Sequence, residues 1–257
     1  MLTVGLPAAG AEEWTESQIV EFLRTADVVE NRETPRGITK SRRLTMSDGQ
    51  RTHDAHFQPV AQEPRTERVG DLRIEVLHDH YLANIAAYHL DRVLGMGLVP
   101  VTIEREIDGK VGALKWWIEG SLTEHEREER GIEPPDPEDW SRQEDLMDVF
   151  DRLIGNTDRH TNNVVIDESW HAWLIDHTKA FPPGTFLVHP ELIRRCDRSV
   201  LAAMRELDEA DLHDAMDREL KDALLARRDR IVEILDERIA KHGEDAVLFD
   251  YVGTASR

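Results

Sequence analysis

"LIGNTDRHTNNVVID", Leu153 to Asp167, sets Asp158, Arg159, His160 and two asparagines between two apolar runs. Aspartate and asparagine close turns and cap helices by bonding their own backbone, so a solvated loop accounts for each of them singly. Together they have a second reading: a loop that turns Asp158 and Asn163 into one pocket. Upstream, "SRQEDLMDVFDRLIGN" carries Leu146, Val149, Phe150, Leu153 and Ile154 on one helical face. Downstream, "NVVID" and "HAWLID" read as short strands, and the second delivers Asp176, thirteen residues after Asn163. The joint pattern of loop, spacing and strand-borne acid favours the pocket over the plain turn.

Further out, "ESQIVEFLRTA" (Glu16 to Ala26) has helical spacing, with Thr15 or Ser17 as N-cap. Arg36 to Val60 reads as a β-hairpin: Ile38, Leu44 and Met46 lie in β-type segments around a turn at Ser47 to Gln50. Arg65 to Glu75 is polar and reads as a connection. Tyr81 to Pro100 begins as a helix stopped by Gly95 to Pro100, and "VTIERE" and "VGALKWWIEG" form strands around Asp108-Gly109. The acidic stretch Ser121 to Ser141 has no regular period and reads as a linker or lid edge. Beyond the second strand pair the chain is mostly helical up to Gly243. The fold class expected is α+β.

A chain of 257 residues suits one large domain or two lobes, and 40% apolar content supplies a core. Acids outnumber bases 52 to 32, a formal charge of −20. That field repels phosphate backbones and anionic lipid, which argues against a general nucleic-acid or membrane-surface binder. One nucleotide in a locally basic pocket is still compatible, and a basic peptide or protein partner suits the field. A lone cysteine, Cys196, fits a reducing cytoplasm. The first residues lack a positive segment and a long apolar core, so they read as a frayed terminus rather than a signal peptide. No apolar run approaches the ~20 residues of a membrane span.

The loop Asp158-Arg159-His160-x-x-Asn163, followed by "LIDHTKAF" with Asp176, resembles the protein-kinase-like superfamily, and most its phosphatidylinositol-kinase-related and HipA-like bacterial branches. The resemblance implies two lobes, a small β-rich N-lobe over 1–119 and a mainly helical C-lobe over 120–257. It implies ATP and Mg²⁺ as cofactors, with Asn163 and Asp176 as metal ligands. Asp158 would orient the acceptor hydroxyl and take its proton, His160 would share that role, and Arg159 would brace the loop or touch a phosphate. These residue types suit the chemistry, because phosphoryl transfer needs positioning and charge neutralisation and Mg²⁺ prefers oxygen ligands.

The resemblance is incomplete. The strand lysine and helix glutamate that such lobes use to steady the phosphates fall on Gln58 and Asn84. Losing both charges suggests a Gln58–Asn84 hydrogen bond in place of an ion pair, since one surviving charge would be unpaired. Lys40, with Arg42 and Arg43, is the expected replacement cation. "KWWIE" falls at the inter-lobe hinge, making Trp116, Trp117 and Glu119 candidates for the adenine site. Kinase-fold relatives with altered motifs also transfer AMP. Two rivals stand beside the kinase reading: a catalytically silent pseudokinase that senses nucleotide or binds protein, and a metallohydrolase built on "HDAH", "HDHY", His160 and His177. The acceptor is open between protein and small molecule.

Overall fold

In the computed structural model, residues 14–33, 41–61 and 79–251 are described in full, and 65–69 and 72–76 by backbone alone. Lys40, Ile38, His78 and the first residues lie outside the described set. Helix α1 (Glu16–Thr25) starts at Thr15, whose side chain and that of Gln18 form a reciprocal cap that satisfies the first free N–H groups. Strands β1 (Asp27–Glu33), β2 (Arg42–Ser47) and β3 (Thr52–Gln58) follow, then β4 (Arg65–Val69), β5 (Leu72–Val76), α2 (Tyr81–Leu94), β6 (Thr102–Ile107) and β7 (Lys110–Trp116). The main sheet has the order β1-β2-β3-β7-β6 and is antiparallel throughout.

Alternation along these strands gives the sheet two unlike faces. Leu44, Met46, Ala55, Phe57 and Leu114 point one way and close a core with Phe22 and Leu23 of α1. The residues between them (Arg43, Asp54, His56, Gln58 and Lys115) point the other way, toward the helical half. Register fixes which of them meet: His56 lies opposite Lys115, and Gln58 opposite Ala113.

The helical half comprises β8 (Leu122–Thr123), α3 (Glu124–Glu129), α4 (Pro137–Ile154), β9 (Val164–Ile166), β10 (Ala172–Leu174), β11 (Cys196–Asp197), α5 (Arg198–Glu206), α6 (Arg218–His242), α7 (Glu244–Val247) and β12 (Leu248–Phe249). Its core gathers Leu146, Val149, Phe150, Leu153 and Ile154 of α4 with Leu224, Ile231 and Leu235 of α6. Gly155 ends α4 at φ 65°, and a Cβ there would meet Pro182 Cδ at 2.6 Å. Only glycine combines that conformation with so close an approach. The approach lets Phe181 N donate to Ile154 O at 2.7 Å, tying the segment after Asp176 to the end of α4.

The α+β class holds, with corrections in detail. Arg65 to Glu75 is a β4–β5 hairpin, not an irregular connection. Ser121 to Ser141 is not a linker: it holds β8, α3 and the start of α4. Its helices are set by caps rather than by apolar period. Thr123 and Glu126 form a reciprocal cap, and Asp136 accepts from Glu138 N and Asp139 N ahead of Pro137. Strand β1 has no apolar alternation and was not legible; its pairing with β2 defines it. The helical C-terminal run is two main helices, because α5 ends at Glu206, a 3₁₀ turn capped by Asp208 intervenes, and Asp217 caps a new start.

Candidate active site

A cavity of about 200 Å³ lies between the polar sheet face and the β9–β10 pair, lined by His56, Gln58, Lys115, Trp117, Asn163 and Asp176 among others. Gln58 and Lys115 reach it from the sheet. Asn163 arrives on a 3₁₀ turn, Thr161–Asn163, directly before β9, and Asp176 follows β10 at φ 58°. Residues far apart in sequence therefore share one wall.

Gln58 and Asn84 are joined: Asn84 Nδ2 donates to Gln58 Oε1 at 3.1 Å. Gln58 Nε2 in turn lies 3.4 Å from Asp176 Oδ1, which also accepts from Thr178 Oγ1 at 3.0 Å. Asn84 Oδ1 accepts twice, from Lys115 Nζ at 3.3 Å and from His177 N at 3.0 Å. One buried asparagine on α2 thus links β3, β7 and the segment carrying Asp176. Burial raises the Asp176 carboxyl, but the Lys115 ammonium and the two hydrogen bonds outweigh it and hold the group below the usual range. Burial pushes the Lys115 ammonium down to about 8, with Asp176 opposing and Arg159 reinforcing.

The oxygens suit a hard cation. Asn163 Nδ2 is committed to Asp158 O at 3.3 Å, which leaves its Oδ1 for a metal. Asp176 uses Oδ1 internally, and among the described residues its Oδ2 takes no hydrogen bond. A carboxylate and a neutral amide oxygen on one cavity are a donor set for Mg²⁺.

The other candidate residues sit differently. Asp158 is 45% exposed and accepts from Lys179 Nζ at 2.8 Å. His160 is exposed. Arg159 is consumed by structure: it grips Asp151 through Nε and Nη2 at 2.9 and 3.0 Å, and its Nη1 donates to Asn163 O and Ile175 O at 2.8 and 2.6 Å. Among the roles expected for it, bracing the loop is the one its contacts match. Trp116 and Trp117 both border the cavity, and their rings have different partners. Although Trp116 borders the cavity, its indole stacks on His53 at 3.4 Å and packs edge-on to Trp14 and Phe22 on the core side. Trp117 is the cavity wall, with the Arg43 guanidinium 4.1 Å over its ring. Glu119 is exposed in the loop after β7. Arg42 and Arg43 are engaged by Asp108 and Asp54, at 2.8 and 2.5 Å.

Sequence reasoning overlooked Lys115 and Lys179, and read His56 only as a candidate metal ligand within "HDAH". The available signal for Lys115 was a lysine inside the otherwise apolar run "VGALKWW". Beneath Asp176, His177 is fully buried beside Phe150, with neither ring nitrogen bonded among the described residues. Burial holds its imidazole well below the ordinary range, so it acts as a neutral filler. The metallohydrolase reading is not supported: among the described residues no three histidine, cysteine, aspartate or glutamate side chains converge on a metal position. Nor, among them, is any helix long and apolar enough to cross a membrane.

No protein-family model and no curated protein matches the chain. Solved structures do. The structure of hydra Fam20 with sugar aligns over 92% of this chain and 93% of its own at 17% identity, with a TM-score of 0.66. The Golgi casein kinase with Mn/ADP bound aligns over 93% and 80% at 15% identity, with a TM-score of 0.61. The Helicobacter pylori proinflammatory kinase CtkA aligns over 85% and 97% at 11% identity, with a TM-score of 0.56. At such identities the likeness establishes the fold: this chain has an atypical protein-kinase-like fold, with a β-sheet lobe and a helical lobe.

Proposed function

We propose that the chain is an ATP- and Mg²⁺-dependent phosphotransferase of atypical kinase architecture. The observation that carries the reading is the joint placement of Asn163 and Asp176 on a cavity walled by Trp117. The fold supports it, as does the Mn/ADP bound by one structural neighbour, the Golgi casein kinase. The lobes divide at residues 119 and 120 in this reading, with the nucleotide between them. The "DRHTNN" loop keeps the HipA-like and phosphatidylinositol-kinase-related branches as the proposed kinship.

Asn163 Oδ1 and Asp176 Oδ2 would hold the metal, which when bound neutralises phosphate charge. Arg159 fixes the backbone between these ligands through the Asn163 and Ile175 carbonyls. Trp117 would flank the base. Asp158, whose backbone carbonyl accepts from Asn163 Nδ2, orients the acceptor hydroxyl. As the acceptor oxygen bonds to the γ-phosphorus, the bond from that phosphorus to the β–γ bridging oxygen breaks. ADP leaves with that electron pair, and the hydroxyl proton passes to Asp158. The acceptor is a protein or a small molecule; the net charge of −20 favours a basic protein.

A second reading has one observation in its favour: the amide pair Gln58–Asn84 stands where an ion pair is expected. It makes the chain a silent, nucleotide-sensing or protein-binding module. Incubation with Mg²⁺ and ATP, followed by product analysis, separates the readings. Release of ADP supports phosphoryl transfer, and release of pyrophosphate would replace it by AMP transfer. Nucleotide binding without either product would favour the silent module.

A further inference from the structure

We infer that Lys115 is the phosphate-binding cation of this site, supplying from β7 the charge that position 58 on β3 lacks. The inference rests on the nucleotide reading above. Lys115 stands on the cleft face of the sheet, opposite His56, and borders the cavity that Asn163 and Asp176 line. Its residue is only 4% exposed. An ammonium carries three N–H donors. Among the described residues Lys115 uses one of them, on the neutral Asn84 Oδ1, and makes no ion pair. A buried charge with so few partners is costly, unless a ligand completes its set.

The ligand that fits must be anionic and must also meet the Asn163 and Asp176 oxygens. A simple anion would satisfy Lys115 but would face the Asp176 carboxylate unscreened. A polyphosphate carrying a divalent cation satisfies both sides, its oxygens shared between ammonium and metal.

The neighbours match this transfer of charge. With the cation on β7, a lysine at position 58 would set two like charges on one wall. Gln58 instead holds Asn84 at 3.1 Å and Asp176 at 3.4 Å without charge. Position 84 on α2 still orients the ammonium, now through an amide oxygen. Gln58, Asn84 and Lys115 are thus one exchange made across two strands and a helix.

The test compares the full chain with Lys115→Met and with the double variant Gln58→Lys/Lys115→Gln, titrated calorimetrically with Mg²⁺·ATP, Mg²⁺·ADP and adenosine. Lys115→Met should weaken both nucleotides at least tenfold and leave adenosine within twofold, because only phosphates meet the ammonium. The double variant should regain part of the lost affinity and stands as the test if Lys115→Met does not fold. Two results would overturn the inference: unchanged Mg²⁺·ATP affinity in Lys115→Met, or an equal loss for adenosine and ATP, which marks a structural lysine. Wild type that binds adenosine no worse than Mg²⁺·ATP also removes it, while base recognition survives. Wild type that binds none of the three overturns the nucleotide reading itself.

Discussion

Lys179 Nζ donates to Asp158 Oδ2 at 2.8 Å, a half-exposed pair beside Asn163, whose Nδ2 donates to Asp158 O at 3.3 Å. An ion pair so open to solvent contributes ~0–1 kcal/mol to stability. Its interest lies in aiming the carboxylate. Asp158→Ala should lower turnover by ~10²–10⁴ while nucleotide affinity stays near wild type. Lys179→Met should slow turnover without moving the melting temperature. Steady-state kinetics beside a melting curve checks both, and an active Asp158→Ala would remove the base assignment.

Asp176 offers the only carboxylate among the described residues that line the cavity. At a hundredfold excess over its dissociation constant, Mg²⁺·ATP should stabilise wild type by ~2.7 kcal/mol. In Asp176→Ala the Mg²⁺-dependent part of that shift should vanish. A thermal titration with and without Mg²⁺ reads it, and an undiminished shift would place the metal elsewhere.

Arg159 shields Asp151, whose side chain is 2% exposed. Arg159→Met leaves that carboxylate buried with the Asn156 amide at 3.1 Å as its remaining side-chain partner. Breaking one side of a buried pair costs about 3–5 kcal/mol, whereas replacing both partners is far milder. Urea unfolding should therefore show a large loss for Arg159→Met and a partial return for Arg159→Met/Asp151→Leu. A loss below about 1 kcal/mol in the single variant would contradict the bracing role.

Burial, reinforced by Lys115 and opposed by Asp176, pushes the His56 imidazole down to about 4. An unfolded histidine titrates near 6.5. Between these values the unfolded chain binds the extra proton, so this stability is fully present above about pH 6.5 and is lost as pH falls toward 4. At pH 5.5 one neutral histidine accounts for about 1.4 kcal/mol of that loss. His171 and His177, both lowered first by burial, act in the same direction. Unfolding free energies at pH 7.5 and 5.5 should differ less in His56→Gln than in wild type, by about 1 kcal/mol. Equal differences would show that His56 accepts its proton in the fold.

Much of the architecture was legible because its signals are local. The cap at Thr15, the turn at Asp108-Gly109 and the stop at Gly95 act within a few residues, and the apolar stripe of α4 identifies its own buried face. The Asp158 to Asn163 loop and the strand-borne Asp176 were likewise visible, as was the amide pair of Gln58 and Asn84. What stayed hidden depended on partners distant in sequence. Strand β1 has no pattern of its own, and β2 supplies its pairing.

Lys115 and Trp116 mark the boundary most clearly. The sequence determined that these neighbours face opposite sides of a sheet, because strand side chains alternate. It could not say which side is the cleft. That was decided by α1 and Trp14, which bury the Trp116 face and leave Lys115 toward Asn84. Alternation is a property of the backbone, whereas the identity of each face is settled by what packs against it.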